Sequence, residues 1–141
     1  MKPGRKTWVE SDLIHSEAFA ELTGAAPLVA LLFHTRRQTE RVKHGHGKRD
    51  EYHVINNGKL HLTYREAAAK RVSQGRYTHA LNQLVHVGIL DVTHAGCGHP
   101  GDASTYALSE RWREYGKPGF VPAEREKDTR HVGYQGRWTK K

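Results

Sequence analysis

The chain has 141 residues and carries 23 Lys and Arg against 15 Asp and Glu, a formal net charge of +8 with neutral histidines. Its length leaves room for one small core, and its apolar runs are far shorter than the roughly 20 residues that cross a bilayer, so the composition excludes a membrane protein. One cysteine excludes a disulfide within the chain, and together with the lack of a signal peptide it favours a cytoplasmic location.

Residues 1–15 are expected to form a basic N-terminal arm that precedes one domain over residues 16–116. Ser16 is a favourable N-cap for a short helix that ends near Thr23 and Gly24. The next helix is expected to run from Pro27 to about residue 42, since proline is allowed in a first helical turn. The expected core stripe of this longer helix is Leu28, Leu31, Leu32 and Thr35.

A glycine-rich basic loop follows over residues 44–50. Residues 52–55 have the composition of a strand, and the Asn57-Gly58 pair predicts a hairpin turn into a second arm at 59–62. Leu60 and Leu62 of that arm are expected to face the core. The arm itself is expected to pair with the strands that come later in the chain.

Residues 63–90 indicate two helices joined by a tight turn and followed by a strand. Thr63 and Glu66 have the spacing of a capping box at the start of the first helix. Ser73 is a good N-cap for a longer helix that reaches about residue 87 and stops at Gly88. The buried stripe expected for this second helix is Tyr77, Ala80, Leu81, Leu84 and Val85.

The outward side of the second helix has the chemistry of a base-reading surface. Arginine can pair bidentately with guanine, asparagine and glutamine can do so with adenine, and threonine can contact thymine or phosphate. The residues expected to read bases are Gln74, Arg76, Thr78, His79 and Asn82. Any surface helix also exposes polar residues, so this pattern alone leaves a purely structural interpretation open.

Two strand-like runs, residues 89–93 and 104–108, enclose a segment with three glycines and a proline that is typical of a hairpin tip. A helix pair followed by a hairpin resembles the winged helix-turn-helix domains of bacterial regulators and of phage or plasmid replication proteins. The resemblance covers about residues 27–115 and includes Ser73, Ala80, Leu81, Leu84, Gly88 and Ile89, together with the run from Gly101 to Trp112.

The resemblance implies an α+β fold, mainly helical, with a small antiparallel sheet of two or three strands. It places the second helix in the major groove and the hairpin tip along the DNA backbone. The expected backbone contacts are Thr63, Tyr64, Arg65, Lys70, Arg71, Ser73, Lys48, Arg49, His94 and His99. The tip departs from the family because residues 94–103 contain no Lys or Arg and include Asp102, so the two imidazoles would serve as phosphate contacts when protonated.

The positive charge is concentrated in two regions of the chain. Residues 31–76 have 11 basic and 4 acidic side chains, and residues 117–141 have 7 and 3. A last short helix capped by Ser109 carries Trp112, which would close the core or contact a second subunit. Residues 117–141 lack periodicity and are interpreted as a basic, extended tail.

The eleven histidines raise the question of a metal site. His94, Cys97 and His99 are weak candidate ligands within six residues, but zinc sites usually need a second ligand pair. No cofactor is expected. No nucleophile elbow, Walker loop or zinc-protease motif is present, so an enzyme is not expected either.

Three functions remain open from the sequence. The first is a double-stranded DNA-binding protein, a homodimer acting in transcription regulation or replication, with the transcription or replication machinery as further partners. The second is a winged-helix module that binds protein instead of DNA. The third, the least favoured, is a metal-dependent nuclease.

Overall fold

A computed structural model describes residues 5–96 and 101–125 of the chain. Within these residues the fold is α+β, with five α-helices and two separate two-stranded antiparallel sheets. The elements in chain order are α1 (Ser11–Ile14), α2 (Glu17–Ala20), α3 (Ala26–Thr35), β1 (Thr39–Val42), β2 (Glu51–Val54), α4 (Tyr64–Ala69), α5 (Gln74–His86), β3 (Leu90–His94), β4 (Thr105–Leu108) and a 3-10 turn (Arg111–Glu114).

Helix α3 is shorter than expected, and it buries a different face. It ends at Thr35, and its buried residues include Val29, Ala30 and Phe33, whereas Leu28 and Leu31 remain 40% and 41% exposed. The predicted extent was therefore wrong, and of the predicted core stripe only Leu32 packs against the core, where it is half-buried. Because nearly every residue from 25 to 33 is apolar, periodicity could not define the face that packs inward.

The two strands after α3 form a hairpin that the sequence did not predict. β1 pairs with β2 in antiparallel register, from Thr39 opposite Val54 to Val42 opposite Glu51, with residues 43–50 as the connecting loop. The predicted pairing of residues 52–55 with residues 59–62 was wrong. Asn57 and Gly58 do form a turn, in which the Lys59 amide donates to the Asn56 carbonyl at 3.0 Å.

The segment after that turn joins the second sheet, as the sequence predicted. Leu60 forms an antiparallel bridge with Tyr106 of β4, and both Leu60 and Leu62 are buried. β4 in turn pairs with β3, with Leu90 opposite Leu108 and an irregularity between Val92 and His94. Residues 59–62 are called the Leu60 segment below. The spatial order is thus the Leu60 segment, then β4, then β3.

The predicted helix pair is confirmed by its hydrogen bonds. Thr63 and Glu66 form both halves of the capping box at the start of α4. The Ser73 hydroxyl accepts from the Arg76 amide at 3.4 Å, and α5 buries all five residues of the predicted stripe. Gly88 follows α5 with φ +86°, in the left-handed region where glycine is favoured.

The core lies between α3, α5 and the second sheet. Phe33 of α3 packs edge-on against Tyr106 of β4 with ring centroids 5.4 Å apart. Trp112 in the 3-10 turn is buried within this single chain, so it closes the core. The Ser109 hydroxyl accepts from the Arg111 amide at 3.1 Å where that turn begins.

Both chain extensions contact the domain. Leu13 lies within the predicted N-terminal arm, yet it is part of the core. On the C-terminal side, Phe120 packs against Tyr115, and Ala123 packs on the core cluster. The predicted tail therefore follows the domain surface as far as Arg125. None of the helices in the described ranges has the length and apolar character needed to cross a membrane.

Candidate nucleic-acid interface

Helix α5 packs against the rest of the domain with one side, and the opposite side of its first turns faces solvent. The Tyr77 hydroxyl donates to the Leu62 carbonyl at 2.6 Å, and burial raises the pKa of this phenol. Further along the helix, Gln83 forms a double hydrogen bond with the backbone of Thr23, at 2.8 Å to its amide and 3.2 Å to its carbonyl. These contacts determine which side of α5 faces solvent.

Four of the five predicted base-reading residues are exposed on the outward side of α5. They are Gln74, Arg76, His79 and Asn82. Thr78 is half-buried, which leaves it less accessible than the other four. Within the described part of the chain, the side chains of Arg76 and Asn82 form hydrogen bonds, whereas those of Gln74 and His79 form none.

Arg76 is oriented by the turn that precedes α5. Its Nη1 donates to the Arg71 carbonyl at 3.1 Å, which holds the guanidinium over the turn. Arg71 itself has φ +64°, an uncommon conformation for a residue other than glycine. The turn before α5 and the first part of the helix thereby each present an exposed arginine side chain, Arg71 and Arg76.

Asn82 has an intramolecular partner that the sequence did not predict. Arg125, at the end of the described tail, donates through Nη1 to the Asn82 Oδ1 at 3.2 Å. Residue 125 lies in a stretch without periodicity, so no sequence signal placed it beside α5. A base that paired with Asn82 would have to replace this hydrogen bond.

The helix pair has a positive surface because its cations outnumber its carboxylates. Residues 63–86 contain four Arg or Lys and one acidic residue, Glu66. The Glu66 carboxylate accepts a hydrogen bond from the Thr63 amide, and this bond is the main cause of the lowered pKa of Glu66. The carboxylate also forms an ion pair with Arg36. Glu66 is therefore ionised, and its negative charge is offset by Arg36. The four cations of the pair, all exposed, are Arg65, Lys70, Arg71 and Arg76.

The remaining residues expected to contact the DNA backbone fall into three groups. Thr63 and Ser73 are the exposed N-caps of α4 and α5. Tyr64 packs edge-on against Tyr77 and is 47% exposed. Lys48 and Arg49 are exposed in the loop between β1 and β2, away from the helix pair in sequence.

The third group belongs to the β3–β4 hairpin. His94 is paired with Asp102, with Nε2 and Oδ1 2.5 Å apart, so its imidazole already has an acidic partner. His99 lies outside the described residues, as does Cys97 of the weak metal candidate. In residues 5–96 and 101–125 no cluster of three His, Cys, Asp or Glu side chains is arranged to hold a metal ion.

The arrangement presents a convex helix with hydrogen-bonding side chains at its start and cations beside it. Chemically, Gln74 and Arg76 offer hydrogen-bond donors and acceptors of the kind that pair with base edges, and Lys70 and Arg71 offer cations of the kind that pair with anionic groups. No family model, curated protein or solved structure matches the chain.

Proposed function

We propose that the protein binds double-stranded DNA and reads the major groove with α5, as a transcription regulator or as a phage- or plasmid-type replication factor. The observation that carries this proposal is the exposed start of α5. Gln74, Arg76 and His79 project from a helix whose opposite side is buried, next to the cationic turn at Lys70 and Arg71.

The proposed domain type is a winged helix-turn-helix. Its support is the order of elements, in which the Leu60 segment, α4, α5, β3 and β4 follow one another and the Leu60 segment bridges β4. The β3–β4 hairpin would then be the wing. On this interpretation the β1–β2 hairpin is an insertion between the first helix of the domain and its first strand.

Gly75 agrees with close approach of α5 to a large ligand. Glycine inside a helix costs about 1 kcal/mol relative to alanine. A Cβ atom at Gly75 would meet nothing within 4 Å, so no neighbour in the described chain requires glycine there. A DNA backbone against the first turn of α5 supplies the missing steric reason.

The proposed complex contains two copies of the chain. One reading helix covers only a half-site, and helix-turn-helix proteins commonly bind two half-sites as symmetric dimers. Two copies of α5 separated by about 34 Å, one helical turn of DNA, would read a palindromic target.

Arg76→Ala tests the proposal. After a binding duplex is selected from a random pool, we expect the variant to lose about 1–3 kcal/mol of affinity for that duplex, or about 5- to 150-fold, with little change for random duplex. Electrophoretic mobility shifts at fixed salt measure both affinities. Lys117→Ala is the matched control, because Lys117 is exposed and lies in the tail. Equal losses in the two variants would contradict base reading by Arg76.

A second candidate function is a protein-binding module of the same proposed fold. The β3–β4 hairpin favours it, since residues 94–103 lack Lys and Arg and His94 is paired with Asp102. This alternative requires that no duplex be selected from the random pool and that wild type and Arg76→Ala bind random duplex equally.

A further inference from the structure

An open cleft lies between the N-terminal segment and the base of the β1–β2 hairpin. Its volume is about 450 Å³. That volume is within the range of about 300–1,000 Å³ found for small-molecule sites. Its lining residues are Arg5, Lys6, Thr7, Trp8, Thr35, Arg37, Gln38 and Thr39. None of them belongs to the α4–α5 surface, so the cleft is a separate candidate site.

The lining of the cleft has a strongly positive balance. Arg5, Lys6 and Arg37 contribute three cations, and no carboxylate is among the lining residues. Glu10 acts electrostatically on Arg37, but its carboxylate is paired with Arg113 at 2.5 Å. A cleft with this balance favours an anionic ligand, to which the Thr39 hydroxyl can add a hydrogen bond, whereas the hydroxyls of Thr7 and Thr35 donate to backbone carbonyls.

An aromatic surface stands beside these cations. The Arg37 guanidinium lies 3.5 Å from the centroid of the Trp8 ring, and it also donates to the Trp8 carbonyl. Thr7 anchors the same segment by donating from Oγ1 to the His34 carbonyl at 3.1 Å. Trp8 is therefore held in place, and the residue nevertheless lines the cleft and is 46% exposed.

A fixed, exposed tryptophan next to cations is the combination by which proteins bind single nucleotides of a strand. The base stacks on the aromatic ring while the cations hold the phosphate. The geometry points to a second binding site in this cleft, specific for a nucleotide unit, in which a base stacks on Trp8 and its phosphate is bound by Arg5 and Lys6. The unit can come from single-stranded nucleic acid or from a free nucleotide. Neither source requires duplex binding by α5.

Two probes distinguish the two sources, namely an octamer of thymidylate and thymidine monophosphate. In a Trp138→Phe background, binding of either probe should quench the exposed indole of Trp8 in a saturable manner. If the octamer binds at least tenfold more tightly than the monophosphate, the source is a strand. Similar affinities identify a free nucleotide as the ligand. Absence of saturable quenching with both probes overturns the inference.

Variants of the cleft assign the binding to its residues. With a fluorescein-labelled octamer, or with the monophosphate by calorimetry, we expect Trp8→Ala to weaken binding by about 5- to 150-fold, the loss caused by removing one base–aromatic stack. Trp8→Phe keeps an aromatic ring and should retain most of the affinity. The Arg5→Ala/Lys6→Ala double variant should also bind more weakly, and increasingly so at low salt.

The control removes the same charge elsewhere. Lys59→Ala/Lys117→Ala deletes two exposed cations outside the cleft and should change probe affinity less than twofold. If this pair weakens binding as much as Arg5→Ala/Lys6→Ala does, the attraction is nonspecific and the site is refuted. Arg76→Ala should leave probe binding intact, so failure of duplex reading and failure of the cleft are separate results.

Discussion

At the scale of single residues, His34 of α3 is a buried polar side chain whose protonation should affect stability. It is 6% exposed, and its Nδ1 lies 2.7 Å from the Ala30 carbonyl, to which the neutral ring donates. Burial lowers the pKa of His34 below its usual value, and the nearby charge of Arg37 lowers it further. The folded protein therefore holds this imidazole neutral.

We expect the stability of the domain to decrease as the pH falls below about 6.5, where histidine in the unfolded chain takes up a proton. The pKa of His34 is lower in the folded protein than in the unfolded chain. The contribution of neutral His34 to stability is therefore fully present above the unfolded-state pKa, and it is lost as the pH falls toward the folded-state pKa. Urea unfolding between pH 7.5 and 5 measures it. His34→Gln should flatten this part of the profile, and an unchanged profile would assign the loss to other groups.

The sequence predicted that the candidate base-reading residues of α5 are exposed. It did not predict which other residues of the chain form hydrogen bonds with them. The apolar spacing from Tyr77 to Val85 determined which side of α5 is buried, and Gln74 and Arg76 had to lie on the other side. The hydrogen bond from Arg125 to Asn82 joins residues 43 positions apart. No local pattern encodes such a contact.

At the scale of elements, the helix pair was predicted correctly because its signals are local. The capping box of α4, the Ser73 cap and the Gly88 stop each act within a few residues. A strand close to β2 was predicted, at residues 52–55, but β1 was missed because it is charged and exposed and lacks the apolar alternation that marks a half-buried strand. Its residues were expected to continue helix α3. The pairing of β1 with β2 across an eight-residue loop was not evident from either strand alone.

Gly75, inside α5, and Gly88, just after it, should respond oppositely to substitution by alanine. A Cβ at Gly88 would lie 2.9 Å from the backbone of Arg111 and Trp112, and its φ is +86°. Gly88→Ala should therefore destabilise the domain by more than about 1 kcal/mol. Gly75→Ala has open space and should stabilise the helix by about 0.5–1 kcal/mol.

The Gly75→Ala variant also distinguishes an effect on the stability of the domain from an effect on its affinity for duplex DNA. If DNA approaches the first turn of α5, Gly75→Ala should weaken duplex binding while it raises the melting temperature. Thermal unfolding and mobility shifts on the same preparations measure both quantities. A Gly75→Ala protein that is more stable and binds duplex as wild type does would remove the steric reason offered for this glycine.

At the scale of the whole molecule, the uneven charge of the chain predicts how duplex affinity depends on salt. Residues 31–76 have a net charge of +7, and the chain as a whole has +8. Each phosphate contact by a cation releases counterions, so the logarithm of the binding constant should fall linearly with the logarithm of salt concentration. The slope reports the number of such contacts.

We expect Lys70→Ala to reduce the magnitude of that slope by about 1 and to weaken binding to all duplex sequences equally. Lys70 is the exposed C-cap of α4, beside the turn that leads to α5. Titrations at four salt concentrations measure the slope for wild type, Lys70→Ala and Lys117→Ala. If the slope is unchanged in Lys70→Ala, Lys70 does not contact a phosphate, and the DNA backbone binds elsewhere on the protein.

The sequence by itself determined the α+β class, the helix pair and the exposed start of α5, because capping, glycine stops and helical periodicity act over a few residues. Only the tertiary structure decided which face of α3 is buried, which strand pairs with β2, and where Arg125 and Trp8 lie. These features depend on contacts between distant segments. In α3 the choice came from the fit of Phe33 against Tyr106, since an almost uniformly apolar helix carries no sequence signal for its orientation.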